Sequence, residues 1–328
     1  MIAAFCRSAL KGTLMAAALF AVGMPTRAAA IDGPIKLIVT FPPGGGGDIG
    51  ARLIAQQMTK SMGQPVIVEN RPGAGGRIAA EQVKRAPADG TTLMLANSAT
   101  MVIGPLVVKN MPFDAVTDFA PVSHTFEYEL SFAVAATIPV KDLREYQKWA
   151  AADPKNATFG SPASGGTAHF LGLQIGRALK LEMNHIGYKG SAPLVNDLMG
   201  GQIPAALDAV DAHVRLRGTG RLRVLATSGL KRSTFLSDVP TFTELGYPEV
   251  QGSGWFGIFA PARTPKPVIT LLSQEIVKAM RDPEVQEKIK HMSYVPTGTT
   301  AEEFARIFEA DRARWGPIIK ASGFVLDE

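Results

Sequence analysis

Two glycine-rich loops, each entered from a strand-like run and left by a helical one, constrain this chain more than any other feature. The first is Phe41-Pro42-Pro43-Gly44-Gly45-Gly46-Gly47-Asp48, following IKLIVT (35–40) and preceding a stretch with Ile49, Leu53, Ile54 and Met58 at helical spacing. The second, Phe159-Gly160-Ser161-Pro162-Ala163-Ser164-Gly165-Gly166-Thr167, has the same setting in the other half. Glycines let such a turn adopt positive φ and aim its amide N–H groups inward. The following helix adds unsatisfied first-turn donors and its positive dipole end. One loop of this kind is equally well a tight turn with Asp48 as helix N-cap. Two of them, at strand ends facing each other, can pinch one anion.

The rest of the chain keeps the alternation. PVIVE (65–69) and TLMLA (92–96) read as strands, and Asn70-Arg71-Pro72-Gly73-Ala74-Gly75-Gly76 opens another helix while shaping the first half. From Leu130 the pattern restarts with LSFAVAA, a helix over 142–151, a strand over 157–160, a helix from Thr167, a strand over 183–186 and a helix from Ala192. IPAALDA (203–209), RVLATS (223–228) and WFGIFA (255–260) are further strands. Short apolar strands separated by helices of ten or more residues imply crossover connections, hence two mainly parallel sheets flanked by helices. The helices over 268–280 and 301–319 have no sheet of their own and are expected to return to the first lobe. The chain then crosses near 126–130 and again near 248–254. This predicts lobe 1 from 31–128 plus 252–328, lobe 2 from 129–251, and a two-segment hinge over a central cleft.

The N-terminus explains the numbering of lobe 1. Arg7 and Lys11 precede an apolar stretch over 12–24, and Ala28-Ala29-Ala30 supplies small residues for cleavage. This is the order of a secretory signal peptide, 1–30, cut near Ala30, and the stretch is too short for a bilayer span of ~20 residues. Cys6, the single cysteine, leaves with it, so the exported chain has no thiol for a disulfide, a nucleophile or a metal site. Loss of Arg7, Lys11 and Arg27 lowers a formal charge of +5 to +2, which gives no reason to expect nucleic acid or an anionic membrane as partner. The five histidines, His124, His169, His185, His213 and His291, are never paired at helical spacing, so no helix-borne metal site follows. No cofactor is implied.

The phrases that carry a resemblance are the run from Phe41 to Asp48, Glu69-Asn70-Arg71-Pro72-Gly73-Ala74-Gly75-Gly76, the segment from Pro112-Phe113-Asp114 to Asp118-Phe119-Ala120-Pro121-Val122-Ser123, the loop over 160–167, and Tyr188-Lys189-Gly190 with Gly200-Gly201-Gln202. In that order they resemble the Bug-type solute receptors of tripartite tricarboxylate transporters, over essentially the whole exported chain. The resemblance implies a two-lobed periplasmic-binding-protein fold and a non-enzymatic receptor. It would capture a small carboxylate in the interlobe cleft, deliver it to the transporter's membrane components, and act as a periplasmic monomer. It places ligand contacts at Phe41, Gly45, Asp48, Asn97 and Ser98 on one side, and at Ser161, Ser164, Gly165, Thr167 and Asp208 on the other. The chain departs from the family at Pro162-Ala163, where a backbone donor is lost. Glu127, Tyr128, Asp208 and Asp211 are the expected distal pocket. Neither cleft loop contains an arginine or lysine, so backbone N–H groups and hydroxyls are expected to hold the anion.

Two enzyme classes compete, beside a structural or sensory module that binds a partner rather than a transporter. Gly45-x-Gly47-x-x-Gly50 after a strand, with Glu69 at the end of the next, fits a dinucleotide-binding fingerprint and an oxidoreductase, although Asp48 would sit beside the pyrophosphate. A hydrolase would need an activated serine. Neither Ser164 nor Ser253 has the flanking glycines of a nucleophile elbow.

Overall fold

The computed structural model describes residues 31–326; the signal-peptide assignment lies outside the described residues. The described chain forms a ten-stranded sheet in one compact unit. In chain order the elements are β1 (Ile35–Val39), α1 (Gly46–Met62), β2 (Val66–Asn70), α2 (Arg77–Lys84), β3 (Thr92–Asn97), a π-helical turn (Ala99–Ile103) running into α3 (Gly104–Val107), and β4 (Phe119–Ala135). There follow α4 (Leu143–Ala152), β5 (Thr158–Ser161), α5 (Thr167–Leu179), β6 (Asn184–Gly187), α6 (Ser191–Met199), β7 (Ala205–Ala209), α7 (Val210–Arg217) and β8 (Leu222–Thr227). The chain ends with β9 (Ser253–Pro261), α8 (Lys266–Arg281), α9 (Pro283–His291), β10 (Val295–Pro296) and α10 (Ala301–Ser322). No helix among the described residues is long and apolar enough to cross a membrane.

The expected α/β architecture with flanking helices holds, but the strands form one mixed sheet rather than two mainly parallel ones. The parallel pairs are β1 with β2 and β3, and β5 with β6 and β7. Between these outer groups lie β9 and β4, which are antiparallel to their neighbours. The sheet is mixed and continuous because β4 belongs to both halves: Phe119 to Glu129 pairs with β9, and Leu130 to Ala135 pairs with β7 and β8. The first half of β4 has no clean alternation. It contains Pro121, which faces Phe259 of β9, and its register shifts between Pro121 and Ser123 and again between His124 and Phe126. Bulges of this kind break the two-residue period by which a strand is recognised.

A core of apolar side chains runs through both halves, including Ile38, Met94, Phe132, Phe159, Trp255, Phe259 and Phe304. The second passage between the halves is tied to the first at Ser228. Its N–H donates to Leu130 O at 2.9 Å, its hydroxyl accepts from Leu130 N at 3.0 Å, and its carbonyl accepts from Gly252 N at 3.0 Å. Beyond α10, Phe324 packs on His169 and Phe170 of α5, while Leu326 N donates to Val107 O of α3 at 2.8 Å. The end of the chain therefore also bridges the two halves.

Candidate functional site

β5, β6 and β7 each end at a turn that starts a helix, and the three helix starts converge. Gly166, Thr167 and Ala168 of α5, Ser191 of α6, and Asp208, Ala209 and Asp211 at the start of α7 line one cavity of about 310 Å³. From the other half come Asn97 and Ala99 at the end of β3, Tyr128 and Leu130 of β4, Phe256 of β9, and Tyr294 just before β10. Ligand sites in open α/β sheets form in this way, outside the carboxyl ends of strands. None of α5, α6 and α7 has a side-chain cap at its N-terminus. The first-turn N–H groups and dipoles of α5 and α6 are consequently available to an anion, whereas α7 carries Asp211 in its first turn and the Ala209 N–H before it donates to Asp208.

Two buried polar atoms in this cavity have no hydrogen-bond partner among the described residues: Thr167 Oγ1 and Asp208 Oδ2. Buried polar groups are nearly always paired, so an unpaired one at a cavity wall marks a position for a ligand or water. Asp208 is 2% exposed, and its other oxygen accepts from Ala209 N at 2.7 Å. Burial pushes its carboxyl up to about 7, against the smaller opposing effect of the nearby Ser191 side chain and the Ala209 N–H. Asp211 is also raised by burial, and Arg215 at 3.2 Å opposes that by favouring its ionised form. Burial raises the hydroxyls of Tyr128 and Tyr294 as well, so both stay protonated donors.

Of the expected contacts, the cavity brings together Asn97, Thr167 and Asp208, with Tyr128 and Asp211 from the expected distal set. Asn97 Oδ1 already accepts from Thr100 N at 2.9 Å and Thr100 Oγ1 at 3.0 Å, so its side chain can offer the cavity only its NH₂. The other expected residues lie elsewhere. Phe41 packs edge-on against Phe256, with ring centroids 5.4 Å apart. Gly45 is the exposed N-cap of α1. Asp48 accepts from Gly44 N at 2.9 Å and Asn70 Nδ2 at 2.8 Å and pairs with Arg52. The first loop thus closes on its own carboxylate, which weighs against the dinucleotide alternative.

Ser98 is buried and accepts from Trp255 N at 3.4 Å. Ser161 is fully buried, donates to Ala163 O at 3.0 Å and lies 2.7 Å from His185 Nε2. That pair is a Ser–His contact in form only, because it does not line the cavity. Ser164 is exposed. Gly165 donates its N–H to His169 Nδ1 at 3.1 Å and faces Phe324 and Leu326 of the C-terminal segment. Glu127 borders a different cavity of about 530 Å³ with Glu129, Asp311 and Arg314. This follows from the alternation along β4, where Tyr128 points one way and its neighbours the other.

Tyr294, Phe256 and Ser191 are among the cavity residues that sequence reasoning missed. The glycines were the available signal for Tyr294. Only Gly44 of the four takes a positive φ, 85°, while a side chain at Gly46 would collide with the ring of Tyr294. Gly254 likewise leaves room for the ring of Tyr128. Both are sites of close approach by an aromatic ring.

Residues 50–324 match the family model described as tripartite tricarboxylate transporter family receptor. BugT of Bordetella pertussis is 34% identical over 294 residues, covering 89% of this chain and 90% of BugT. The structure of R. palustris Rpa4515 with adipate superposes with a TM-score of 0.79 at 31% identity, over 90% of this chain and 98% of that one. MatC from Rhodopseudomonas palustris with bound malate superposes at 0.75 with 26% identity, over 88% and 99% of the two chains.

Proposed function

Since the chain belongs to the tripartite tricarboxylate transporter receptor family, we propose that it is an exported periplasmic receptor. In this reading it binds a small carboxylate in the 310 Å³ cavity and hands it to the transporter's membrane components without altering it. The single observation that carries the proposal is the meeting of the uncapped N-termini of α5 and α6 at one cavity, beside the unpartnered hydroxyl of Thr167. A carboxylate there receives N–H donors and two positive dipole ends without needing a side-chain cation. The adipate and malate bound by two similar receptors are consistent with an anion of this size.

The same reading extends to the lobes. Residues 31–128 with 252–328 form one lobe and 129–251 the other, with hinge segments meeting at Ser228, so that the cavity lies between them. Thr167 and Asp208 contribute side chains from lobe 2 and Asn97 from lobe 1. Phe41, Gly45, Asp48, Ser98, Ser161, Ser164 and Gly165 shape the loops around the site.

The test is a thermal-shift screen of the chain from Ile31 against a carboxylate library. A ligand at 100 times its Kd should stabilise the protein by ~2.7 kcal/mol. If no carboxylate shifts the melting point, or if one is chemically converted by the pure protein, the receptor assignment is wrong.

A further inference from the structure

The cavity's charge is the opposite of what a receptor for a plain dicarboxylate requires. Its lining contains two carboxyl side chains, Asp208 and Asp211, and no lysine or arginine. Arg215, the partner of Asp211, lies outside that lining, and its side chain is 73% exposed. The α5 and α6 starts on one wall suit an anion, whereas the Asp208–Asp211 wall repels one. From these positions we infer that the solute carries a cationic nitrogen in addition to its carboxylate, with the nitrogen held against Asp208 and Asp211. The inference rests on the cavity being the receptor's ligand site.

Three observations converge on the nitrogen. Asp208 Oδ2 is buried and accepts from no described group, so a ligand N–H would pair an atom that a second carboxylate would leave unpaired and repelled. Asp211 adds negative charge to the same wall, and its contact with Arg215 favours keeping it. Tyr128, Phe256 and Tyr294 complete that end of the lining, with ring centroids 5.7 to 5.9 Å apart, and aromatic faces attract a desolvated cation. The raised carboxyl of Asp208 fits a group awaiting its countercharge. The titratable or charged groups facing it are Asp211 and Arg215 on α7, Tyr128 on β4 and Tyr294 before β10.

Matched probes separate this inference from the reading beneath it. Isothermal titration of the chain from Ile31 would compare 5-aminopentanoate with hexanoate and adipate, which share its four-methylene spacer and replace the ammonium by a methyl or a carboxylate. The same trio would be run with one methylene fewer and one more. At the best length the amino acid should bind at least tenfold more tightly than both analogues. Asp208→Asn, with its fold checked by circular dichroism, should reduce that preference below threefold by weakening the amino acid more than either analogue. A dicarboxylate or alkyl acid that binds as tightly as the amino acid overturns the inference and leaves the receptor reading intact. If no carboxylate of any kind binds, both fall. Should Asp208→Asn not fold, the ranking within the trios for the unaltered protein decides alone.

Discussion

Thr167 and Ser164 lie in one loop yet have opposite expected roles. Thr167 is buried at the first position of α5 with an unpartnered hydroxyl in the cavity wall, while Ser164 is exposed over the end of β6. A hydrogen bond to a charged group contributes ~1.5–3 kcal/mol. Thr167→Ala should therefore weaken carboxylate binding by roughly 10- to 100-fold, and Ser164→Ala should leave it within about twofold; titration calorimetry on the two variants checks this ranking. Titration also has a definite sign. Burial holds His124 and His213 at about 4, whereas the unfolded imidazole protonates near 6.5. The unfolded chain then binds more protons between those values, so stability falls as pH drops from 6.5 to 4, by about 3 kcal/mol for each such histidine. Asp208 runs the other way. Raised from 3.8 to about 7, it binds more protons folded than unfolded, and its destabilising effect grows as pH rises through that window. Urea unfolding should show net loss of stability below pH 6.5. Asp208→Asn should stabilise at pH 8 by more than at pH 4, and an equal effect at both would mean the carboxyl is not buried as described.

At the scale of elements, α10 has a complete capping box: Thr300 Oγ1 accepts from Glu303 N at 3.2 Å, and Glu303 accepts from Thr300 N at 2.8 Å. Its inner face carries Phe304, Phe308, Trp315 and Ile319 into the core, and its C-terminal extension packs on α5. Thr300→Ala removes one acceptor and leaves an orphan N–H at the helix start, which costs about 1 kcal/mol. The expected result is a lower urea midpoint with an unchanged slope. Because the cap is remote from the cavity lining, the variant's ligand affinity should stay at the wild-type value.

Across the whole molecule, the distinctive arrangement is one long strand serving both halves of a sheet. β4 changes partners between Glu129 and Leu130, and the return passage is bonded to it through Ser228. Bending concentrated at those two segments would bring the α5–α7 starts toward Asn97, Phe256 and Tyr294 without disturbing either parallel group. Small-angle scattering should accordingly give a smaller radius of gyration at ligand saturation than without ligand. An unchanged profile at saturation would mean that the cavity is preformed and that the hinge is not used.

The sequence alone determined the alternating α/β order, the two strand-to-helix loops and the family. These depend on local periodicity, on glycine placement and on phrases such as that from Glu69 to Gly76, all of which are properties of neighbouring residues. Thr167 and Asp208, which line the cavity, were legible as candidates for the same reason, since each stands where an apolar run meets a helix start. Tertiary structure decided which loop faces the cavity. The glycines before α1 look like an anion cradle in sequence, but their inward N–H meets Asp48 and their bare backbone lies under Tyr294, a residue nearly 250 positions away. It also decided that the sheet is mixed, because β4 and β9 find their partners through long-range pairing that bulges hide from any short window. Close approach and side-chain direction arise only when distant segments pack, so the cavity's acidic wall and its aromatic end are features of the folded chain.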